Sequence, residues 1–269
     1  MQAAMLESWD WAVRLGAFTA VFAAMAFWEA AAPVRARRLG RATRWRTNLG
    51  LALVNTLLAR VALPVTAIAL ASLGVIEGWG LLNRVDLPAW AEVLLAVIVL
   101  DLVVYFQHVL FHAVPALARL HAVHHADPDF DLTTGIRFHP LEILLSAAIK
   151  LAAVAALGAS PLAVLVFEVL LNATAMFNHA NVSLPRGAER FVRAFLVTPD
   201  MHRIHHSVIA VERNSNYGFC LSLWDRVFGT YTRDTPGELE IGLSDWRDPA
   251  VVATLAGAVG MPFLGRKPS

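Results

Sequence analysis

Residues 101–125 read DLVVYFQHVLFHAVPALARLHAVHH, an apolar run that carries five histidines at its end. The run closes a hydrophobic stretch from Leu87 to about Phe111, long enough for one bilayer crossing of about 20 residues. His108 and His112 stand four apart and share a helix face. His121, His124 and His125 stand three and four apart, which on a helix turns them towards a common point. The same box recurs as His202, His205 and His206, with Asn178-His179 between the two and His139 alone. All ten histidines of the 269-residue chain thus fall between positions 108 and 206. Imidazole is the commonest nitrogen ligand for a transition metal. So many in one region exceed what a single ion can use, and the spacing predicts a site for two metal ions. A lone histidine such as His139 reads equally as a satisfied core residue and as a ligand.

Outward from this stretch the chain is 57% hydrophobic and 16% charged, against about 25% charged in soluble domains. Other long apolar runs extend from Trp11 to Ala32, Asn48 to about Val75, Leu141 to Leu157 and Pro161 to Phe177. The last two are joined by Gly158-Ala159-Ser160 and read as a hairpin. The expected fold is all-α: an integral membrane helical bundle of about three full spans plus a helical hairpin, with a histidine-rich cytoplasmic cap. It reads as one membrane-embedded domain over 1–269. Transmembrane helices fill 1–100, a di-metal catalytic region fills 101–231, and a C-terminal tail fills 232–269. No cleavable signal peptide is expected, because Glu7 and Asp10, rather than basic residues, precede the first apolar run.

The loop Pro33 to Thr47 holds Arg35, Arg37, Arg38, Arg41, Arg44 and Arg46 and no acid, which places it in the cytoplasm. Counting spans from there puts every histidine group on that same side. Twenty arginines against two lysines suit a GC-rich bacterial genome, and so a multi-pass protein of a bacterial inner membrane. A formal charge of +1 gives no reason to expect a nucleic-acid partner. The single Cys220 leaves no internal disulfide and no iron–sulfur cluster.

Arg60, Asp101, Lys150 and Glu168 lie well inside the spans, where ionisable groups pair or serve a site. Lys150 and Glu168 sit at matching depth in the hairpin and are expected to pair. Asp101 either orients a ligand through a relay by way of Tyr105 or satisfies a neighbouring helix, with Arg60 as the candidate partner. Arg14, Glu29 and Glu92 lie near span ends, within reach of the interface. Asp101, Asp127, Glu142, Asn178 and Asp200 are candidates to orient the imidazoles. Asp129 and Asp131 read equally as solvent-facing loop acids. Asp200 is placed to cap the helix of the last box, and Asn178 and Asn181 bracket a helix end at His179. Arg203 points away from the ligand face, towards headgroups or a donor protein. Phe191 to Val197 reads as an interfacial amphipathic helix or a cap over the metals, with Trp224, Phe228 and Tyr231 at the same interface.

A zinc hydrolase would need a carboxylate base, and no HExxH occurs; the Glu and ExxH pairs of soluble di-iron bundles are missing too. A nitrogen-rich pair of iron ions suits O2 activation and attack on an unactivated C–H bond of a lipid. Electrons then come from an external donor, since the chain carries no haem-attachment motif, nucleotide fingerprint or cysteine cluster. Two other readings stand beside this one. A membrane haem electron carrier would face its histidines across spans at mid-membrane depth. A metal transporter would string them along a pore.

The order H-x₃-H, H-x₂-HH, H-x₂-HH resembles the fatty acid hydroxylase/sterol desaturase superfamily of integral-membrane di-iron oxygenases. The resemblance runs from about Asp101 to Tyr231. It passes through Arg119-Leu-His-Ala-Val-His-His125, Thr134-Gly-Ile-Arg-Phe-His-Pro140 and Phe177-Asn-His-Ala-Asn181. It continues through Thr198-Pro-Asp-Met-His-Arg-Ile-His-His206 and Asn214-Ser-Asn-Tyr-Gly218. It implies that His108, His112, His121, His124, His125, His179, His202, His205 and His206 are catalytic metal ligands, with His139 an outlying candidate. It further implies two iron ions, which zinc can replace in a purified sample, a membrane lipid substrate hydroxylated or desaturated with O2, and a ferredoxin- or cytochrome-type donor. The box spacing separates the chain from acyl-CoA desaturases and carotene hydroxylases.

Overall fold

The computed structural model describes residues 2–63 and 65–264, with side chains from Trp9 onward. Glu7, Lys267 and the last five residues of the expected tail therefore lie outside the described side chains. Five segments are long and apolar enough to cross a membrane: Trp9–Ala31, Arg41–Arg84, Ala89–Ala113, Pro140–Leu157 and Pro161–Asn178. Among the described residues there is no strand, only the isolated bridges Leu196–Leu221 and Ser207–Ile241. The chain is an integral membrane helical bundle.

Helix α1 (Gln2–Ala31) packs along the last hairpin helix. The second crossing is split into α2 (Arg41–Ala62) and α3 (Ala67–Glu77). The break follows from chemistry: Leu63 precedes a proline and is extended, with φ −116° and ψ 98°. Thr66 then caps α3 by accepting from Ala69 N. Helix α4 (Ala89–Ala113) crosses in one piece and passes directly into α5 (Pro115–His125), which Pro115 starts at its first turn.

The hairpin consists of α6 (Pro140–Leu157) and α7 (Pro161–Asn178). At 18 residues each these are about 27 Å long. Gly158 ends α6 in the left-handed conformation, φ +69°. It must be glycine because a Cβ there would meet Asn83 Nδ2 at 2.8 Å and Trp79 O at 2.9 Å. Ser160 caps α7 and donates to Glu92 at the start of α4, 2.7 Å away. The hairpin therefore reaches the level where α4 begins, opposite the histidines. Its buried core joins α3, α4, α6 and α7 through Ile68, Leu100, Val154, Val164 and Phe167.

Charges inside the bundle are paired. Glu168 takes both Lys150, as expected, and Arg14 at 2.5 Å; Arg14 in turn holds Asp10. Several expectations are corrected here. Arg60 is exposed and does not meet Asp101. Glu29 does not reach the interface: it is fully buried and accepts the backbone N–H of Leu132 and Asn181, at 2.7 and 2.9 Å. Arg14 is likewise drawn to the buried carboxylates of Glu168 and Asp10, because a bond inside the bundle replaces the hydration lost there, whereas Glu92 stays half-buried at the start of α4.

The cap is built from short helices: α8 (Arg186–Val192), α9 (Pro199–His205), α10 (Ala210–Arg213), α11 (Leu223–Val227), α12 (Pro249–Val252) and α13 (Leu255–Gly260). The helix expected over 191–197 is shifted: α8 stops at Val192.

Candidate metal centre

His108 and His112 leave the end of α4, and α5 brings His121, His124 and His125 back against them. His179 caps the end of α7, and α9 delivers His202, His205 and His206. Helix α9 starts at Thr198, whose hydroxyl accepts from Met201 N, with Pro199 in its first turn. Nine histidines gather in two groups: His108, His112, His121, His125 and His205; and His124, His179, His202 and His206. Within each group the ligand atoms all lie within 4.8 Å of one another. The groups are contiguous, since the rings of His125 and His206 stack at 4.5 Å. All nine are buried except His112, which is half-buried.

Six rings are oriented through Nδ1. His108 donates to Tyr217 O at 2.8 Å, His112 to Asn214 Oδ1 at 3.2 Å and His121 to Glu142 Oε1 at 2.6 Å. His124 donates to Arg137 O at 3.2 Å, His179 to Ala175 O at 2.7 Å and His205 to Ser215 O at 2.7 Å. With that proton on Nδ1, Nε2 presents a bare lone pair to the centre. His124 Nε2 and His179 Nε2 then face each other at 3.2 Å, lone pair to lone pair. The Nε2 atoms of His108, His121 and His205 are buried with no hydrogen-bond partner. A cation relieves both defects. Desolvation disfavours the charged form of the buried rings around it: it pushes His179 down to about 3, and His124, His125, His202, His205 and His206 well below the usual histidine range. The donor set fits two imidazole-ligated ions, one with five nitrogens and one with four.

The four or five rings around each point occupy the equatorial space that a porphyrin would need, so the haem reading fails on geometry. The histidines form two compact clusters rather than a file along a pore, which also departs from the transporter reading.

His139 does not join either group, which corrects its place among the ligand candidates. It is the N-cap of α6: its Nδ1 accepts from Leu141 N at 3.1 Å, and its Nε2 donates to Val259 O at 3.1 Å. Both nitrogens are thereby engaged.

Of the polar residues expected to orient imidazoles, only Glu142 touches one. Asp101 instead accepts from Cys220 N, Leu221 N and the Trp224 indole, at 3.1, 3.1 and 2.8 Å, and so pins the loop that follows Tyr217. Trp224 is therefore turned inward rather than into the interface. Asn178 donates to Phe219 O. Asp200 is not the cap of α9, a role Thr198 takes; it accepts from Ser183 and pairs with Arg203 at 2.6 Å. Arg203 is buried and donates to Val182 O rather than lying on the open surface.

Asp127, Asp129 and Asp131 are buried, not solvent-facing. Arg44 lies between Asp127 at 2.6 Å and Asp131 at 2.5 Å, and Asp129 clamps the backbone of Arg38 and Leu39. Asp127 is held down to about 2 despite its burial, by the Arg44 charge and hydrogen bonds. The arginine loop is thus fastened beside the second histidine box, at the histidine end of the bundle. Arg137 runs under the same region, donating to Val123 O, Asn48 and Val252 O.

Carbonyl acceptors at Ala175, Ser215 and Tyr217 were beyond sequence reasoning, because any residue carries one. Asn214 had a signal, since it lies in a motif already singled out. A cavity of about 450 Å³ opens beside His112, His121 and His125, with Phe111, Arg119 and Leu243 on its walls. The four-histidine group is covered by Phe130 and Phe138, the latter stacked on His124 at 4.5 Å.

A family profile described as fatty acid hydroxylase matches residues 93–230. The ornithine lipid hydroxylase OlsE of Rhizobium tropici is 30% identical over 191 residues, covering 67% of this chain and 55% of that protein. Methylsterol monooxygenase 2-2 of Arabidopsis thaliana is 28% identical, over 60% of this chain and 61% of its own. Human alkylglycerol monooxygenase is 28% identical, over 47% of this chain and 27% of its own. The chain thus covers less than two thirds of each of these relatives. No solved structure matches. By the extent of the profile match, and by the histidine boxes it encloses, the chain belongs to the fatty acid hydroxylase family.

Proposed function

We propose that this protein is an O2-dependent di-iron oxygenase that hydroxylates an unactivated C–H bond of a membrane lipid. The observation that carries the reading is the pair of largely buried imidazole clusters whose ring nitrogens converge at the end of a membrane bundle. The relatives' names point the same way: ornithine lipid hydroxylase, alkylglycerol monooxygenase and methylsterol monooxygenase all act on lipids. They favour hydroxylation over desaturation, and an acyl-chain or isoprenoid/sterol-like substrate. One iron would be held by His108, His112, His121, His125 and His205, the other by His124, His179, His202 and His206. Iron held there supplies O2 activation and C–H attack.

The chain's own residues do the rest. Glu142 and the carbonyls of Tyr217, Ser215, Ala175 and Arg137 fix the ring orientations. Phe130 and Phe138 exclude water from the enclosed group. The cavity at His112 admits substrate to the five-histidine group, with Arg119 at its rim. Electrons come from an external ferredoxin- or cytochrome-type donor. The arginine loop favours a bacterial inner membrane with the metal centre facing the cytoplasm.

The test is lipidomics of cells with and without the gene, grown under ¹⁸O2. A lipid that carries label and disappears with His205→Ala supports hydroxylation. Newly unsaturated, unlabelled lipid supports desaturation, and no lipid change in the presence of a competent donor sinks the assignment.

A further inference from the structure

On the side of α9 away from the histidines lies a cavity of about 800 Å³, bounded by α8, α9, the α11 segment and residues 231–239. Six of the residues on its walls are arginines and three are acids. The acids are already engaged: Glu189 with Arg193 at 2.5 Å, Asp200 with Arg203 at 2.6 Å, and Asp234 with Arg233 at 3.3 Å. Three cations are left over. Among the described residues, Arg186 and Arg190 have no carboxylate partner, and Arg226 spans Tyr231 at 4.3 Å while donating only to Ser222 and a backbone carbonyl. Arg203 is buried in the cavity wall, and its Nε has no hydrogen-bond partner. Three uncompensated guanidiniums and one orphaned buried N–H call for an anion with several acceptor oxygens.

The flank of this cavity is apolar. Phe191 and Phe195, on and just after α8, form an edge-to-face pair at 5.6 Å and are 71% and 59% exposed. Leu223, Val227 and Phe228 add exposed apolar surface from α11 and its end. Aromatic surface beside arginines is the composition of a membrane interface rather than of a water-facing groove.

We propose that the arginine cavity binds the phosphate of an anionic lipid headgroup, with Phe191 and Phe195 seated among the acyl chains. Arg186, Arg190 and Arg226 would take the phosphate oxygens. The site is separate from the cavity at His112 and needs no metal to operate.

The test uses the full-length protein in detergent, with native mass spectrometry to count bound molecules during titration. The probes are phosphatidylglycerol, a neutral glycosyl diglyceride with the same chains, and inorganic phosphate. Phosphatidylglycerol should bind, and Arg186→Gln/Arg190→Gln should weaken that binding about tenfold. Both side chains are exposed and unpartnered, so the variant should melt like the wild type. Equal binding to wild type and variant would overturn the proposal, as would equal binding of the neutral glycolipid. Displacement of the lipid by inorganic phosphate at comparable concentration would assign the cavity to a soluble phosphate and overturn the lipid reading.

Discussion

Glu142 Oε1 accepts a 2.6 Å hydrogen bond from His121 Nδ1 and, among the described residues, is the one carboxylate bonded to the nine-histidine cluster. The other imidazoles with an oriented Nδ1 lean on neutral carbonyls or an amide. Glu142 is buried in the first turn of α6, so this bond also ties the hairpin to the centre.

Replacing Glu142 with Gln keeps the shape and removes the charge. Metal affinity should fall by about 10–100-fold, read by competition with a chelator, while helix content is unchanged. Unaltered affinity would show that the carboxylate does not tune the site.

Gly135 lies against the last turn of α7. A Cβ there would sit 2.5 Å from Ala175 O and 3.1 Å from His179 Nδ1, the two atoms that bond to orient this ring. Gly135→Ala should displace His179 and lower the bound metal content below that of the wild type; under the proposed two-ion centre it falls towards one per chain. Metal analysis of the purified variant reads this directly.

His139→Asn separates capping from ligation. Asparagine is a good N-cap, so the variant should retain full metal content and lose at most about 1 kcal/mol of stability. His205→Ala, by contrast, should lose metal. If His139→Asn lost metal as His205→Ala does, the assignment of His139 to a structural role would be wrong.

Asp101→Ala would strand three donors, from Cys220, Leu221 and Trp224, in a buried place. The expected cost is about 3 kcal/mol, seen as a lowered melting temperature in detergent. A melt indistinguishable from the wild type would contradict the bracing role.

Acid should destabilise the metal-free protein. His179 is held down to about 3 when folded and returns to about 6.5 when unfolded. Between those values the unfolded state binds more protons, so stability is present above about 6.5 and is lost as pH falls towards 3. Denaturant melts of chelator-treated protein at pH 7 and pH 5 should differ in that direction. Equal midpoints would mean that the imidazoles are not buried as neutral rings.

The histidine boxes, the spans and the hairpin were legible because their signals are local. A four-residue spacing sets a shared helix face wherever the helix lies, and an apolar run of bilayer length needs a lipid environment whatever its neighbours are. The Lys150–Glu168 pair was legible for the same reason, since a tight turn fixes the depth of its two arms.

What tertiary structure alone decided is which polar group answers which. Asp127, just after the second box, reads as a candidate to orient its imidazoles, yet its partner is Arg44, 83 residues back. Asp101 looks towards His108 on its own helix face, yet it holds a loop about 120 residues further on. Periodicity describes directions around one helix axis, whereas a buried charge settles on whichever donors the packing of other helices brings within 3 Å. The sorting of nine histidines into five and four, and the exclusion of His139, have the same origin.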